Sequence, residues 1–351
     1  MYNQILKAKP YVIMLKKMDY WYWCRYFIDL YRICNYKCSY CETIESRGVK
    51  GLHTVPGLPD KKESIGLGLF SDIYSPNPVE NKVVQSLLNF LYEKGYPISI
   101  NTKSEYILND IDIIKEFAKR DMIRVTITLL TLDPELSQEL EGQKLKPRKR
   151  IEALKVLTDE GIPTGVSITP VIPMVNDERE SLEKLITVVK KNGAKWILFS
   201  GYNPTKEFLL NPKWEKVKLL HKNSNELNLR YKKAKSIILS AVFKENLPIR
   251  IPRINLNKNT NGYLLNRITE YLYNISYLYE LLDHKLEALR FRRATYAINE
   301  IDTPIKALII QNKLGYIKGI NPKIEAIIKE IAVNDGSSYY EKLLKKLKME
   351  Y

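Results

Sequence analysis

The chain has 351 residues, 45% of them hydrophobic, and carries 56 Lys and Arg against 40 Asp and Glu, a formal charge of +16. That length exceeds one ordinary domain and the apolar content suffices for a sizeable core, which excludes a disordered or fibrous chain. With four cysteines and no legible secretory segment, reduced thiols in a cytoplasmic protein are expected rather than a disulfide framework.

Residues 1–31 are apolar and aromatic but are interrupted by Lys7, Lys9, Lys16, Lys17 and Arg25. They offer neither the unbroken core of a signal peptide nor a membrane span. Cys24 ends the run Trp21-Tyr-Trp-Cys24, where a buried small hydrophobe is the simplest reading. A first strand is predicted at 26–31. Directly after it, Cys34, Cys38 and Cys41 form a Cys-x3-Cys-x2-Cys array with Tyr40 before the last cysteine. Three thiolates on one loop are one short of a closed site, and reactive metal centres keep such a position open. A zinc site drawing in Cys24 is the competing reading, although zinc motifs usually pair two separated Cys-x2-4-Cys units and no second pair is present.

Further strands are predicted at 64–70, 97–102, 123–130, 163–172 and 194–200, with helices near 79–94, 109–120, 148–160 and 178–191 between them. Strands alternating with helices imply right-handed βαβ units and a parallel sheet, hence an α/β fold. Beyond residue 204 the charge turns strongly basic: residues 213–258 hold twelve basic and three acidic side chains, interleaved with Trp214, Tyr231 and Phe243. Such a stripe suits a phosphate backbone and equally suits a solvated helix face. The remainder reads as helices. Gly319 permits a tight turn and Pro322 opens the next helix, leaving its free N–H groups directed at a phosphate between Lys318 and Lys323. Asn321, between them, is a residue type that tolerates positive φ.

The cysteine array followed by these strands resembles the partial (β/α)6 barrel of the radical S-adenosylmethionine (SAM) superfamily. The stretches Ile65–Glu80, Asn101–Ser104, Leu140–Gly142 with Arg148 and Arg150, and Ile168–Asp177 resemble its spore photoproduct lyase and DNA repair photolyase branch. The resemblance implies a [4Fe–4S] cluster on Cys34, Cys38 and Cys41, and SAM held by Ser71, Asp72 and Lys103. Thr126, Thr128 and Glu141 would join them, with Tyr40 against the adenine. It also implies an electron donor such as flavodoxin or ferredoxin, and reductive release of methionine and a 5′-deoxyadenosyl radical. Independently, a sulfonium amino acid with a ribose calls for a cation, an acid and hydroxyls at converging strand ends. One departure stands out: the lyase's hydrogen-returning cysteine is replaced by Leu69, which leaves Cys24 or Tyr74 as alternative donors.

Residues 270–351 resemble the helix-hairpin-helix domain of family X DNA polymerases, with Asn321 replacing the second glycine of the hairpin. The Schiff-base lysine of lyase-active relatives corresponds to Ile327, which implies a DNA-binding module without lyase activity; a helical cap is the plainer alternative. The expected organisation is therefore a barrel over 1–204, a basic connector over 205–269 and a small all-α domain over 270–351. The implied function is repair of a pyrimidine lesion in double-stranded DNA, whose base must be unstacked to reach the barrel. Modification of a DNA or tRNA base comes second, and a non-catalytic metal-containing DNA-binding protein is the reading from another class.

Overall fold

The computed structural model describes residues 11–30, 34–41, 53–55, 57–76, 82–256 and 260–351. The chain divides into two compact units at Ile254/Asn255. In the first, eight strands form one sheet: β1 Tyr11–Asp19, β2 Cys24–Asp29, β3 His53–Val55, β4 Ile65–Leu67, β5 Ile98–Thr102, β6 Ile123–Thr128, β7 Thr164–Val171 and β8 Ile197–Gly201. Their order is β3-β1-β2-β4-β5-β6-β7-β8. The six strands from β2 through β8 pair in parallel, while β1 runs antiparallel to both β2 and β3. This is the α/β architecture expected, a curled half-barrel, with an antiparallel edge that was not anticipated.

The central strands are buried on both faces, and every residue of β6 is buried. Ile-Arg-Val-Thr-Ile-Thr alternates apolar with polar residues in sequence, yet its Arg and Thr side chains are buried as well. Amphipathic helices cover the outside: α1 Lys82–Glu93, α2 Ile111–Lys119, α3 Pro134–Glu141, α4 Pro147–Asp159 and α5 Arg179–Lys191. Helix α1 buries Val83, Val84, Leu87, Leu88 and Leu91. Tyr31 of the first predicted strand and residues 79–81 of the first predicted helix lie outside the described residues. Strand β4 ends at Leu67 rather than at 70 because Gly68 turns the chain away at φ +84°, and a Cβ there would lie 1.9 Å from the Asn101 carbonyl oxygen. Only glycine fits so close an approach.

The boundary between the two units falls within the expected connector, 205–269. Residues 205–254 belong to the first unit, as α6 Lys206–Leu210, α7 Glu215–His221 and α8 Ser224–Lys244. Helix α8 buries Ile237, Ile238, Leu239 and Val242. The strap after it is tied to the N-terminal strand ends: the carbonyls of Pro248, Ile251 and Pro252 accept hydrogen bonds from Ile197 N (2.9 Å), Trp23 Nε1 (2.8 Å) and Arg124 Nε (3.0 Å). The guanidinium of Arg250 lies 5.0 Å and 5.4 Å from the rings of Trp21 and Trp23. Two basic side chains of this stretch, Arg250 and Arg253, are thus buried in the first unit.

The second unit contains α9 Asn261–Leu281, α10 Lys285–Asn299, α11 Ile305–Ile310, a 3-10 turn Leu314–Tyr316, α12 Pro322–Asn334 and α13 Ser338–Glu350. Ile268, Leu272, Ile275, Phe291, Ile298 and Ile328 form its core. Gly319 takes φ +97° and Pro322 opens α12. Asn321 does not use positive φ: at φ −97° it caps α12, its side chain accepting from Ile324 N at 2.9 Å. A capping asparagine satisfies one of the helix's unpaired N–H groups. Lys318 and Lys323 are exposed, the Lys323 ammonium 4.6 Å from the centre of the Tyr339 ring. Ile327 is buried.

Asp110, at the entry to α2, has its carboxyl pushed up to about 6 by burial, with the Tyr74 hydroxyl pulling the other way. A raised carboxyl favours the folded state while protonated, so this contribution is full below the ordinary value of 3.8 and lost as pH rises through about 6. Asp110→Asn, neutral throughout, is expected to match the wild type in urea midpoint at about pH 4 and to exceed it at about pH 8. Equal offsets at both pH values would contradict this.

Candidate active site

An open cavity of about 930 Å³ lies at the C-terminal ends of the parallel strands. Cys34, Cys38, Tyr40 and Cys41 line it from the loop after β2, Gly68 to Phe70 and Asp72 from beyond β4, and Asn101 to Lys103 from the end of β5. Thr169 and Pro170 of β7, Ser200 to Asn203 at the end of β8, Glu207 of α6 and Tyr231 of α8 also line it.

The cysteine loop is held from outside. Ser39 donates through N (2.8 Å) and Oγ (3.2 Å) to the carbonyl of Leu140. Tyr36 donates its hydroxyl to the Tyr74 carbonyl at 3.1 Å, and Asn35 Nδ2 reaches the Pro76 carbonyl at 2.7 Å. Tyr40 donates to Glu141 Oε1 at 2.5 Å. These contacts tie the loop to the residues after β4 and to the end of α3. Burial pushes the Cys34 thiol up, and pushes Cys38 up to about 12.

Three thiols from one loop lining one cavity suit an iron–sulfur cube, in which each thiolate takes a different iron. Among the described residues, no group of three or more His, Cys, Asp or Glu side chains is placed to hold one metal ion. Cys24 is elsewhere. It begins β2, at the end of the strand remote from the loop, where it packs with Ile13 and Phe27, and its Sγ donates to the Tyr22 carbonyl at 3.2 Å. Tyr74 is buried beside Asp110 and does not line the cavity. Neither hydrogen-donor candidate is thus brought to the cysteines.

The residues expected around SAM divide. Lys103 and Tyr40 line the cavity, the ammonium 5.6 Å from the centre of the ring. Burial pulls the Lys103 pKa down, but Cys38, Glu141 and Asp72 outweigh it and leave it above its ordinary value. Asp72 lines the cavity while accepting from Tyr74 N (2.9 Å), Thr102 Oγ1 (2.8 Å) and Lys103 N (2.7 Å). Its visible work is to join the β4 and β5 ends. Ser71 donates to Asp29. Thr126 accepts from Trp196 Nε1 at 3.3 Å and Thr128 donates to Asn101 Oδ1 at 3.3 Å; both are buried within the sheet rather than lining the cavity.

Glu141 is also spoken for: Oε1 takes the Tyr40 hydroxyl, and Oε2 pairs with Arg150 at 2.5 Å, both side chains 1% exposed. Burial pushes its carboxyl up, and Arg150 and Lys103 outweigh this to leave it below the ordinary value. Arg150 further donates to the Thr128 carbonyl and to Ser137 Oγ, each at 2.9 Å. The wall formed by Ser200, Gly201, Tyr202 and Tyr231 was not foreseen. Its signal was the polar turn after the last predicted strand.

The family model of the radical SAM superfamily, a family that uses a [4Fe–4S] cluster and SAM, matches residues 28–186. Two curated relatives carry no described function: a protein of Methanocaldococcus jannaschii, 31% identical over 44% of this chain and 62% of its own, and one of Mycobacterium tuberculosis, 24% identical over 50% and 58%. The chain spans about three fifths of those relatives' length. Similar solved structures include anSMEcpe with bound AdoMet and a peptide (12% identity, 68% of this chain and 62% of that one, TM-score 0.38). Another is Streptococcus suis SuiB bound to S-adenosylmethionine (17% identity, 56% and 43%, TM-score 0.35). No helix among the described residues is long and apolar enough to cross a membrane.

Proposed function

We propose that the chain is a radical SAM enzyme acting on nucleic acid, with a pyrimidine lesion in double-stranded DNA as the first substrate class. The observation that carries the enzymatic part is the joint lining of one cavity by Cys34, Cys38, Cys41 and Lys103. When bound, the cluster and SAM supply one-electron reductive cleavage of a sulfonium, and the three cysteines would hold the cluster. The chain's own part is positioning and exclusion of water. Lys103 offers the SAM carboxylate a charge-assisted contact. The buried Tyr36, Leu130, Leu140 and Ile172 behind the loop keep solvent from that side.

The nucleic-acid part is supported by charge and by the hairpin. A net +16 favours a polyanionic partner. The exposed Lys318 and Lys323, on either side of the Gly319 turn and the start of α12, together offer ammonium groups to a phosphate. Such contacts are blind to sequence, so duplex affinity is expected to fall steeply with salt.

Lys103→Ala is expected to weaken SAM binding by roughly 1.5–3 kcal/mol while iron is retained, measured by equilibrium binding to reconstituted protein. Unchanged affinity would remove Lys103 from the site. The reading as a whole is tested by incubating reduced, reconstituted protein with SAM and defined nucleic acids while following 5′-deoxyadenosine together with base products. Products from lesion-bearing duplex support it. Turnover on folded RNA alone would replace repair by RNA modification, and turnover on neither would sink the nucleic-acid reading.

A further inference from the structure

The aromatic interleaved in the basic stretch turns out to be part of the cavity wall. Tyr231, on the N-terminal half of α8, lines the cavity and is half-buried. Its hydroxyl accepts from Tyr202 N at 3.0 Å and donates to the Tyr202 carbonyl, so the ring is fixed by both backbone groups of a residue just beyond β8. Gly201 makes room for it: a Cβ there would lie 3.0 Å from the ring, inside ordinary contact. On the same turn of α8, Lys232 and Lys233 are exposed, and Arg230 pairs with Asp177 at 3.5 Å. A rigid aromatic at a cavity wall is a platform on which a base of single-stranded nucleic acid stacks, whatever its sequence. Single-ligand pockets span roughly 300–1,000 Å³, and about 930 Å³ is at the upper end.

We infer that Tyr231 is a specificity-determining residue that stacks an unstacked nucleobase in the cavity. This rests on the reading that the substrate is nucleic acid, and deepens it by naming the side chain that meets the base.

The test compares full-length wild type and Tyr231→Ala on two duplexes identical except at one position, which carries a mismatched thymine in one and an abasic analogue in the other. Losing a base–aromatic stack is expected to weaken the thymine duplex roughly 5- to 150-fold, with less than about a twofold change on the abasic duplex, where no base remains to stack. An equal loss on both, or none on either, overturns the inference while leaving duplex binding as evidence for a nucleic-acid substrate. If the wild type binds neither duplex, the nucleic-acid reading falls and this inference with it. Should Tyr231→Ala fail to fold, the unaltered protein still decides: 5-bromouracil at the mismatched position is expected to crosslink under ultraviolet light to the peptide containing Tyr231. Crosslinking confined to other peptides overturns the assignment.

Discussion

Single replacement of Cys34, Cys38 or Cys41 by alanine is expected to strip the reconstituted protein of its iron and visible absorption, whereas Cys24→Ala keeps both. The first three share one loop and one cavity. Removing any of them leaves two thiolates for a centre that needs three, so the effect is near-complete loss rather than weakening. Cys24 packs with Ile13 and Phe27 at the other end of β2, so its truncation costs only core packing, about 1 kcal/mol of stability. Iron content measured beside absorption separates the two classes. A colourless Cys24→Ala protein would show that the ligand set is wrong.

Arg150→Met is expected to destabilise the fold by about 3–5 kcal/mol, because it leaves the Glu141 carboxylate buried without its partner. Both side chains are 1% exposed, so water cannot replace the guanidinium. The carbonyl of Thr128 and Ser137 Oγ lose their donor as well. Since Glu141 also accepts the Tyr40 hydroxyl, the damage should reach the cysteine loop and lower iron retention in the variant that remains folded. Adding Glu141→Gln removes the orphaned charge, so the double variant should lose less than the two single losses combined. Urea midpoints at unchanged slope measure all three. A loss under about 1 kcal/mol for Arg150→Met would contradict a tight buried pair.

The parallel strands and most of their helices were legible because each buried strand is a short β-branched run, and each covering helix repeats its apolar residues at helical spacing. The cysteine loop was legible because its chemistry is local in sequence. What was not legible depends on partners far apart in the chain. Glu141 looks like a cavity acid until α4 brings Arg150 against it, and Thr126 looks like a strand-end hydroxyl until Trp196 is found donating to it. Tyr231 reads as an aromatic in a basic helix, and only folding sets it against Gly201 and Tyr202. The same holds for residues 205–254: their charge suggests a solvated connector, yet Ile237, Ile238 and Val242 are fully inaccessible. Charge outside and apolar residues inside coexist on α8, and charge dominates a reading by composition. Asn321 shows the reverse case, where a backbone freedom inferred from residue type went unused because capping offered the side chain a hydrogen bond.

The most direct measurement is the electron paramagnetic resonance spectrum of the anaerobically reconstituted, reduced full-length protein, recorded with and without SAM beside iron and sulfide analysis. The expected result is about four irons and four sulfides per chain, with a spectrum that changes on addition of SAM and changes only at higher SAM concentration in Lys103→Ala. One zinc or one iron per chain, or a cluster spectrum indifferent to SAM, would contradict a three-thiolate centre that keeps a position open for it.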